Sequence, residues 1–237
     1  MINFKNCPYD NAPFIGDSEW IRDIYNDLFG EKEKGFLVEI GVGCTLNWRA
    51  MNTFPRILNP GENFIRGKST TLELIEHGWD GIYIEPIEEF LTNELAPLLK
   101  TIVKKENNQN IKLAPVAASN ENKTMCIIGN ETLGLLDDMT SLSESNIPYS
   151  YKHRKIKCEK TSDILQNCGC PKHIDVMSID VEGQELSVLR GIDFSKHLPK
   201  LIFIEIDKTS IESIMEILPD GYEIIAKDYL NAAIVLK

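Results

Sequence analysis

Two short runs of acidic residues carry the clearest chemical potential in this sequence. Asp180-Val-Glu182-Gly183-Gln-Glu185 follows an apolar stretch, and Glu205 and Asp207 close another. Asp180 and Glu182 are two apart, so an extended backbone sends both to the same face. Two acid pairs at one sheet edge could bind a divalent cation or supply a general base. The plainer role is structural: one acid caps the helix that follows and another stays solvated.

A second region of interest is Val38-Glu39-Ile40-Gly41-Val42-Gly43. Glycines just past a strand let the backbone turn tightly and approach a ligand beside the positive end of a helix, although Gly-x-Gly alone equally describes a plain tight turn. Glu85 ends the next apolar run, where an acid can accept hydrogen bonds from both hydroxyls of a ribose. From Gly43 to Glu85 is 85 − 43 = 42 residues, against about 20 in the usual nucleotide-binding unit. An insertion from Leu46 to Gly67, rich in Asn, Pro, Gly and Arg, explains the excess. Loops at the carboxyl ends of strands shape the pocket in open α/β folds, which makes Arg49, Arg56, Arg66 and Lys68 candidate substrate contacts.

The elements that must position these groups alternate. Strand-like runs are 36–41, 81–85, 111–118, 173–180 and 201–206, and helical stretches are 69–77, 87–100, 183–189 and 210–218. Such alternation predicts a largely parallel sheet covered by helices on both faces. The last two runs, 222–226 and 232–236, are joined by too short a link for a helical crossover and should pair antiparallel. Residues 1–35 read as a helical lead, with Asp17 or Ser18 capping a helix that ends at Gly30. The main domain then spans 36–237, with insertions at about 46–67 and 120–158. The second insertion reads as a β-ribbon or loop over the sheet, and its basic stretch Lys152–Lys157 as a solvated edge strand or, less simply, a substrate contact.

Composition narrows the partners. Among 237 residues, 25 basic against 36 acidic side chains give a net charge of −11. Nonspecific binding to nucleic acid or anionic lipid needs a basic surface and is not expected. No apolar run approaches the ~20 residues of a membrane span, and the start, Met-Ile-Asn-Phe-Lys-Asn-Cys-Pro, has no apolar core of a secretion signal. A cytoplasmic chain with reduced thiols is the expectation. Cys168-Gly-Cys170 lacks the usual zinc spacing and reads as a turn that happens to hold thiols. No heptad seam specifies an oligomeric state.

Taken together, three segments resemble the FkbM-type methyltransferases. They are Val38–Gly43, Gly78-Trp-Asp-Gly-Ile-Tyr-Ile-Glu-Pro86, and Ile174-Asp-Val-Met-Ser-Ile-Asp-Val-Glu-Gly-Gln-Glu-Leu-Ser-Val-Leu-Arg-Gly191, and Ile202-Phe-Ile-Glu-Ile206 continues the match. The resemblance runs from about residue 36 to the end. It implies a Rossmann-like class I methyltransferase fold, a seven-stranded sheet with an antiparallel last strand that binds S-adenosylmethionine. By this likeness Glu39, Gly41 and Gly43 line the methionine part of the cofactor, and Glu85 with Pro86 holds the ribose. Ser69 and Thr70 start a helix facing the cofactor, and Ala118 and Ser119 neighbour the adenine. The third glycine of the fullest motif is absent, Thr45 standing near it.

The resemblance further implies methylation of a hydroxyl on a sugar, glycan or small secondary metabolite. An alcohol is a poor nucleophile until its proton is removed, so Asp180 or Glu182 is expected to orient or deprotonate the acceptor. A divalent metal on Asp180, Glu205 and Asp207 is a further candidate, since some sugar O-methyltransferases of this fold hold one there. N-methylation on the same fold and a catalytically inactive cofactor-binding domain are the alternatives. The Asp/Asn-Pro-Pro-aromatic signature for amino acceptors is not at 180–183.

Overall fold

The computed structural model describes residues 18–30, 32, 34–42, 71–103, 108–129, 135–137, 152–228 and 230–237. Its centre is a seven-stranded sheet. In chain order the strands are β1 (Phe36–Ile40), β2 (Asp80–Ile84), β3 (Ile111–Ala114), β8 (His173–Ile179), β9 (Leu198–Glu205), β10 (Tyr222–Lys227) and β11 (Asn231–Leu236). Their spatial order is β10-β11-β9-β8-β1-β2-β3. β1 pairs parallel with both β2 and β8, and β2–β3 and β8–β9 are also parallel. β11 runs antiparallel to its neighbours β9 and β10, so the predicted terminal hairpin is present and inserts its last strand into the sheet.

The strands form because their residues are apolar on both faces, as a sheet buried on both sides requires. On one face Val38, Ile40, Ile82, Ile84, Met177 and Ile179 pack against Ile164, Leu165, Val188, Leu189 and Ile214. Those five belong to α4 (Thr161–Asn167), α5 (Glu185–Arg190) and α6 (Ile211–Ile217). On the other face Leu37, Tyr83, Val176 and Phe203 pack against Ile24, Tyr25, Leu72, Ile75, Leu99 and Ile102. These come from α1 (Ser18–Phe29), α2 (Leu72–Glu76) and α3 (Ala96–Ile102). Each such aliphatic side chain contributes about 1.5–3 kcal/mol when fully buried. The result is the three-layer α/β arrangement expected from the alternation.

The link from α1 to β1 is fixed at the amino-terminal edge of the sheet. Lys32 donates to Asp175 of β8, and the other oxygen of Asp175 accepts the N–H of Phe36 at 2.9 Å. Trp79 donates its indole N–H to the Lys32 carbonyl at 3.1 Å. A side chain at Gly35 would lie 2.5 Å from that indole ring, so glycine is what lets Trp79 seat there.

Two features differ from the sequence-based expectation. The run 111–118 divides at Pro115, which cannot donate to a ladder, and its second half, β4 (Ala117–Ser119), joins a different sheet. That sheet is four-stranded, in the order β4-β7-β5-β6, with β5 (Lys123–Gly129), β6 (Leu135–Asp137) and β7 (Lys152–Lys160). In it β7 pairs with β5 along Lys152–Cys158 and with β4 only at Cys158–Lys160, so among the described residues the basic stretch Lys152–Lys157 has a neighbouring strand on one side alone, as an edge does. Finally, α4 follows β7 directly, a helix whose buried residues Thr161 and Ser162 disguise its apolar face. The Cys168-Gly169-Cys170 run closes this helix. Gly169 takes φ +73°, and the N–H of Cys170 bonds the Leu165 carbonyl at 2.9 Å. Among the described residues no helix is long and apolar enough to cross a membrane.

Candidate active site

The chain passes from β1 to β2 and β3 on one side, then returns to β8 on the other. A crevice opens at such a reversal, outside the carboxyl ends of the strands. Here the end of β1 is tied to the ends of both β8 and β2. The N–H of Asp180 donates to the Ile40 carbonyl at 3.0 Å, and the N–H of Gly41 donates to the Ile84 carbonyl at 2.9 Å. Gly41 has φ +85°, and a Cβ there would lie 1.7 Å from the Asp180 carbonyl oxygen. Only glycine permits this turn at this approach.

Glu85 follows β2 on the same rim. It is buried, and its Oε1 accepts the N–H of Ile87 at 2.9 Å. Glu39 lies deeper, 4% exposed, on the face of β1 that meets α2. Its carboxylate accepts the hydroxyl of Thr71, which also lies 3.1 Å from the Tyr83 hydroxyl. Glu39 therefore supports the start of α2 from below. Gly43, Ser69, Thr70 and the loop bases Arg49, Arg56, Arg66 and Lys68 lie outside the described residues.

Across the crevice, the loop after β8 carries the acids. Glu182 has φ +55° and Gly183 φ +100°, an uncommon conformation for a non-glycine residue. Glu185 enforces it. This carboxylate is 1% exposed. Its Oε1 accepts the N–H groups of Val181 and Gly183, at 3.3 and 2.9 Å, and its Oε2 accepts the Thr209 hydroxyl at 2.7 Å. One buried acid thus ties the β8 loop to the β9 loop. The sequence offers acids here in abundance, but which one turns inward depends on the tertiary packing of Thr209.

With the loop so held, one carboxylate oxygen from each of Asp180, Glu182 and Glu205 lies within 4.8 Å of the others. Burial, and then the charges of Asp180, Glu182 and Glu185, push the Glu205 carboxyl up to about 8. Its Oε2 is buried and has no hydrogen-bond partner among the described residues. Lys208 donates to Glu182 at 2.6 Å, and this bond raises the lysine further above its ordinary value. Lys208 went unnoticed in the sequence, although its place beside Asp207 could have flagged it. Three hard oxygen donors suit magnesium, calcium or manganese. Asp207 is exposed and stands outside the group, and Glu182 takes its place beside Asp180 and Glu205.

Ala118 and Ser119, expected near the adenine, are buried at the junction of β4 and α5. The Ser119 hydroxyl lies 3.2 Å from that of Ser187, and Thr161 donates to the carbonyls of Ser119 and Val188 at 3.1 and 2.9 Å. A Cβ at Gly191 would lie 2.0 Å from the Ser119 carbonyl oxygen, which explains the glycine that ends α5.

The glycine turn after β1 and Glu85 after β2 thus stand on one side of the sheet's reversal, and the Asp180–Glu182–Glu205 carboxylates on the other. The sequence matches the methyltransferase FkbM domain over residues 59–226, and the chain belongs to that family. The match begins after β1, so Gly41 and its turn stand outside it. No curated protein and no solved structure matches the chain.

Proposed function

We propose that the chain is an S-adenosylmethionine-dependent methyltransferase of the class I, Rossmann-like type that methylates a hydroxyl on a sugar, glycan or small secondary metabolite. The observation that carries this reading is the contact of Gly41 with Asp180, which brings the glycine turn of β1 against the acidic loop of β8. The cofactor site and the acceptor site then share one crevice. Family membership supports methyl transfer, and the position of the antiparallel strand β11 agrees with a class I sheet. Glu39, Gly41 and Gly43 take the methionine part, Glu85 and Pro86 the ribose, and Ser69 and Thr70 contact the same cofactor. Ala118 and Ser119 stand near the adenine through backbone, since the serine hydroxyl is engaged with Ser187.

Methyl transfer from a sulfonium is an in-line displacement, so alignment supplies much of the rate. The acceptor oxygen attacks the methyl carbon as the carbon–sulfur bond breaks, and its proton passes to a base. Asp180 is exposed at the mouth of the crevice and is the base in this reading. Glu182, held by Lys208, orients the acceptor. Such a base contributes about 10²–10⁴-fold. A divalent cation held by Asp180, Glu182 and Glu205 would polarise the acceptor hydroxyl when bound, and the unpartnered Glu205 oxygen favours that addition. Labelled cofactor screened against sugar nucleotides, glycans and small polyketides tests the proposal. Label transferred to a hydroxyl is the expected result, and transfer only to amines would replace it.

A further inference from the structure

Apart from Ala118 and Ser119 of β4, the second sheet has no part in the site described so far, yet it touches the segment that carries Glu85. Its inner face carries Ala117, Met125, Ile127, Ile156 and Cys158, and Ile87 packs against that cluster from the segment after β2. Ile87 is the residue whose N–H donates to Glu85 Oε1 at 2.9 Å. Two residues on, Glu89 receives both arms of the Arg154 guanidinium from β7, one of them at 2.9 Å. That hydrogen bonding draws the Glu89 carboxyl below its ordinary range. Residues 85–89 are therefore fastened to the main sheet at one end and to the second sheet at the other.

We propose that the second sheet aims the Glu85 carboxylate, with Ile87 and Arg154 as positioning residues for the cofactor's ribose. This rests on the reading that Glu85 binds the ribose. A carboxylate recognises two hydroxyls only when its plane is fixed, and fixing it needs a supporting shell around the contacting group. Ile87 supplies that support twice, by its amide on Glu85 and by its side chain in the apolar cluster. Arg154 holds the same segment by a bidentate pair, the geometry that gives such bonds their direction. The side chains of Arg154 and Glu89 are 47% and 54% exposed, so the pair adds little to global stability. Its removal separates positioning from folding.

The test is calorimetric titration of S-adenosylmethionine into the full chain, its Arg154→Ala and Ile87→Ala variants, and the Arg154→Ala change on a Glu85→Gln background. Amide hydrogen exchange is followed in parallel. Arg154→Ala should weaken the cofactor roughly fivefold with an unchanged thermal midpoint, and should add nothing once Glu85 is altered. The Ile87 amide should exchange faster in Arg154→Ala while Val38 of β1 keeps its protection. Unchanged affinity, an equal loss without Glu85, or unchanged exchange at Ile87 would each overturn the proposal. A wild-type chain that takes up no S-adenosylmethionine overturns the ribose reading and the cofactor part with it. Exchange at Ile87 then decides separately whether the sheet holds the segment. Should Ile87→Ala fail to fold, the exposed Arg154 still decides the matter.

Discussion

The alpha carbon of Gly41 faces the carbonyl oxygen of Asp180 so closely that a methyl group there would lie 1.7 Å from it. This is the point where the glycine turn of β1 meets the acidic loop of β8. The backbone of Asp180 is rigidly placed by its hydrogen bond to Ile40, so it cannot retreat without opening the sheet.

Gly41→Ala should therefore destabilise the fold by at least about 3 kcal/mol and abolish cofactor binding, through overlap added to an unfavourable φ. Gly183→Ala is the control. Its φ is +100°, but the new Cβ would meet only the flexible Lys208 side chain at 3.3 Å. A cost of about 1 kcal/mol is expected there. Denaturant unfolding of both variants checks the contrast, and equal losses would refute the crowding argument.

How much of this was legible in the sequence varies by region. β1, β2 and β8 are mostly apolar runs halted by glycine or acid, so their buried parallel character is readable from residue types. The terminal hairpin follows from a link too short for a helix. The division at Pro115 was hidden because Val116, Ala117 and Ala118 keep the run apolar across it. The pairing of β7 with β4 joins Ala117 to Cys158, 158 − 117 = 41 residues apart, and no local pattern encodes it. In the site, the acids were visible, but the inward turn of Glu185 and the substitution of Glu182 for Asp207 in the cluster arise from contacts between two loops.

Glu205 makes stability depend on pH with a definite sign. Its carboxyl rises from an ordinary 4.5 to about 8 in the folded chain, burial being the larger cause. The folded state thus binds a proton that the unfolded state has released. Its contribution is fully present below about pH 4.5 and is lost as pH rises through about 8. The Glu205→Gln variant should remove this slope, so that wild type and variant diverge progressively between those limits. Parallel curves from thermal unfolding across the range would contradict the assignment.

Thr71→Val should cost about 1–3 kcal/mol, since it leaves the buried Glu39 carboxylate short of a donor. Thr71→Ser keeps the hydroxyl and should recover most of the loss. Unfolding measurements check this: a loss in Thr71→Ser as large as that in Thr71→Val would contradict the hydrogen-bond account, since serine keeps the donor.

Turnover in Asp180→Asn should fall by about 10²–10⁴-fold with cofactor affinity retained. Glu182→Gln should raise KM for the acceptor more than it lowers kcat, as its pair with Lys208 suits it to orientation. Full activity in both variants would eliminate the base from the mechanism, and unchanged activity after exhaustive chelation would remove the cation.

The most direct test of the central claim is calorimetric titration of S-adenosylmethionine into the full-length chain, with Glu85→Ala beside it. A saturable, single-site heat in the wild type, weakened at least about tenfold in Glu85→Ala, is the predicted result. An absence of heat, with no thermal shift at saturating cofactor, would contradict it.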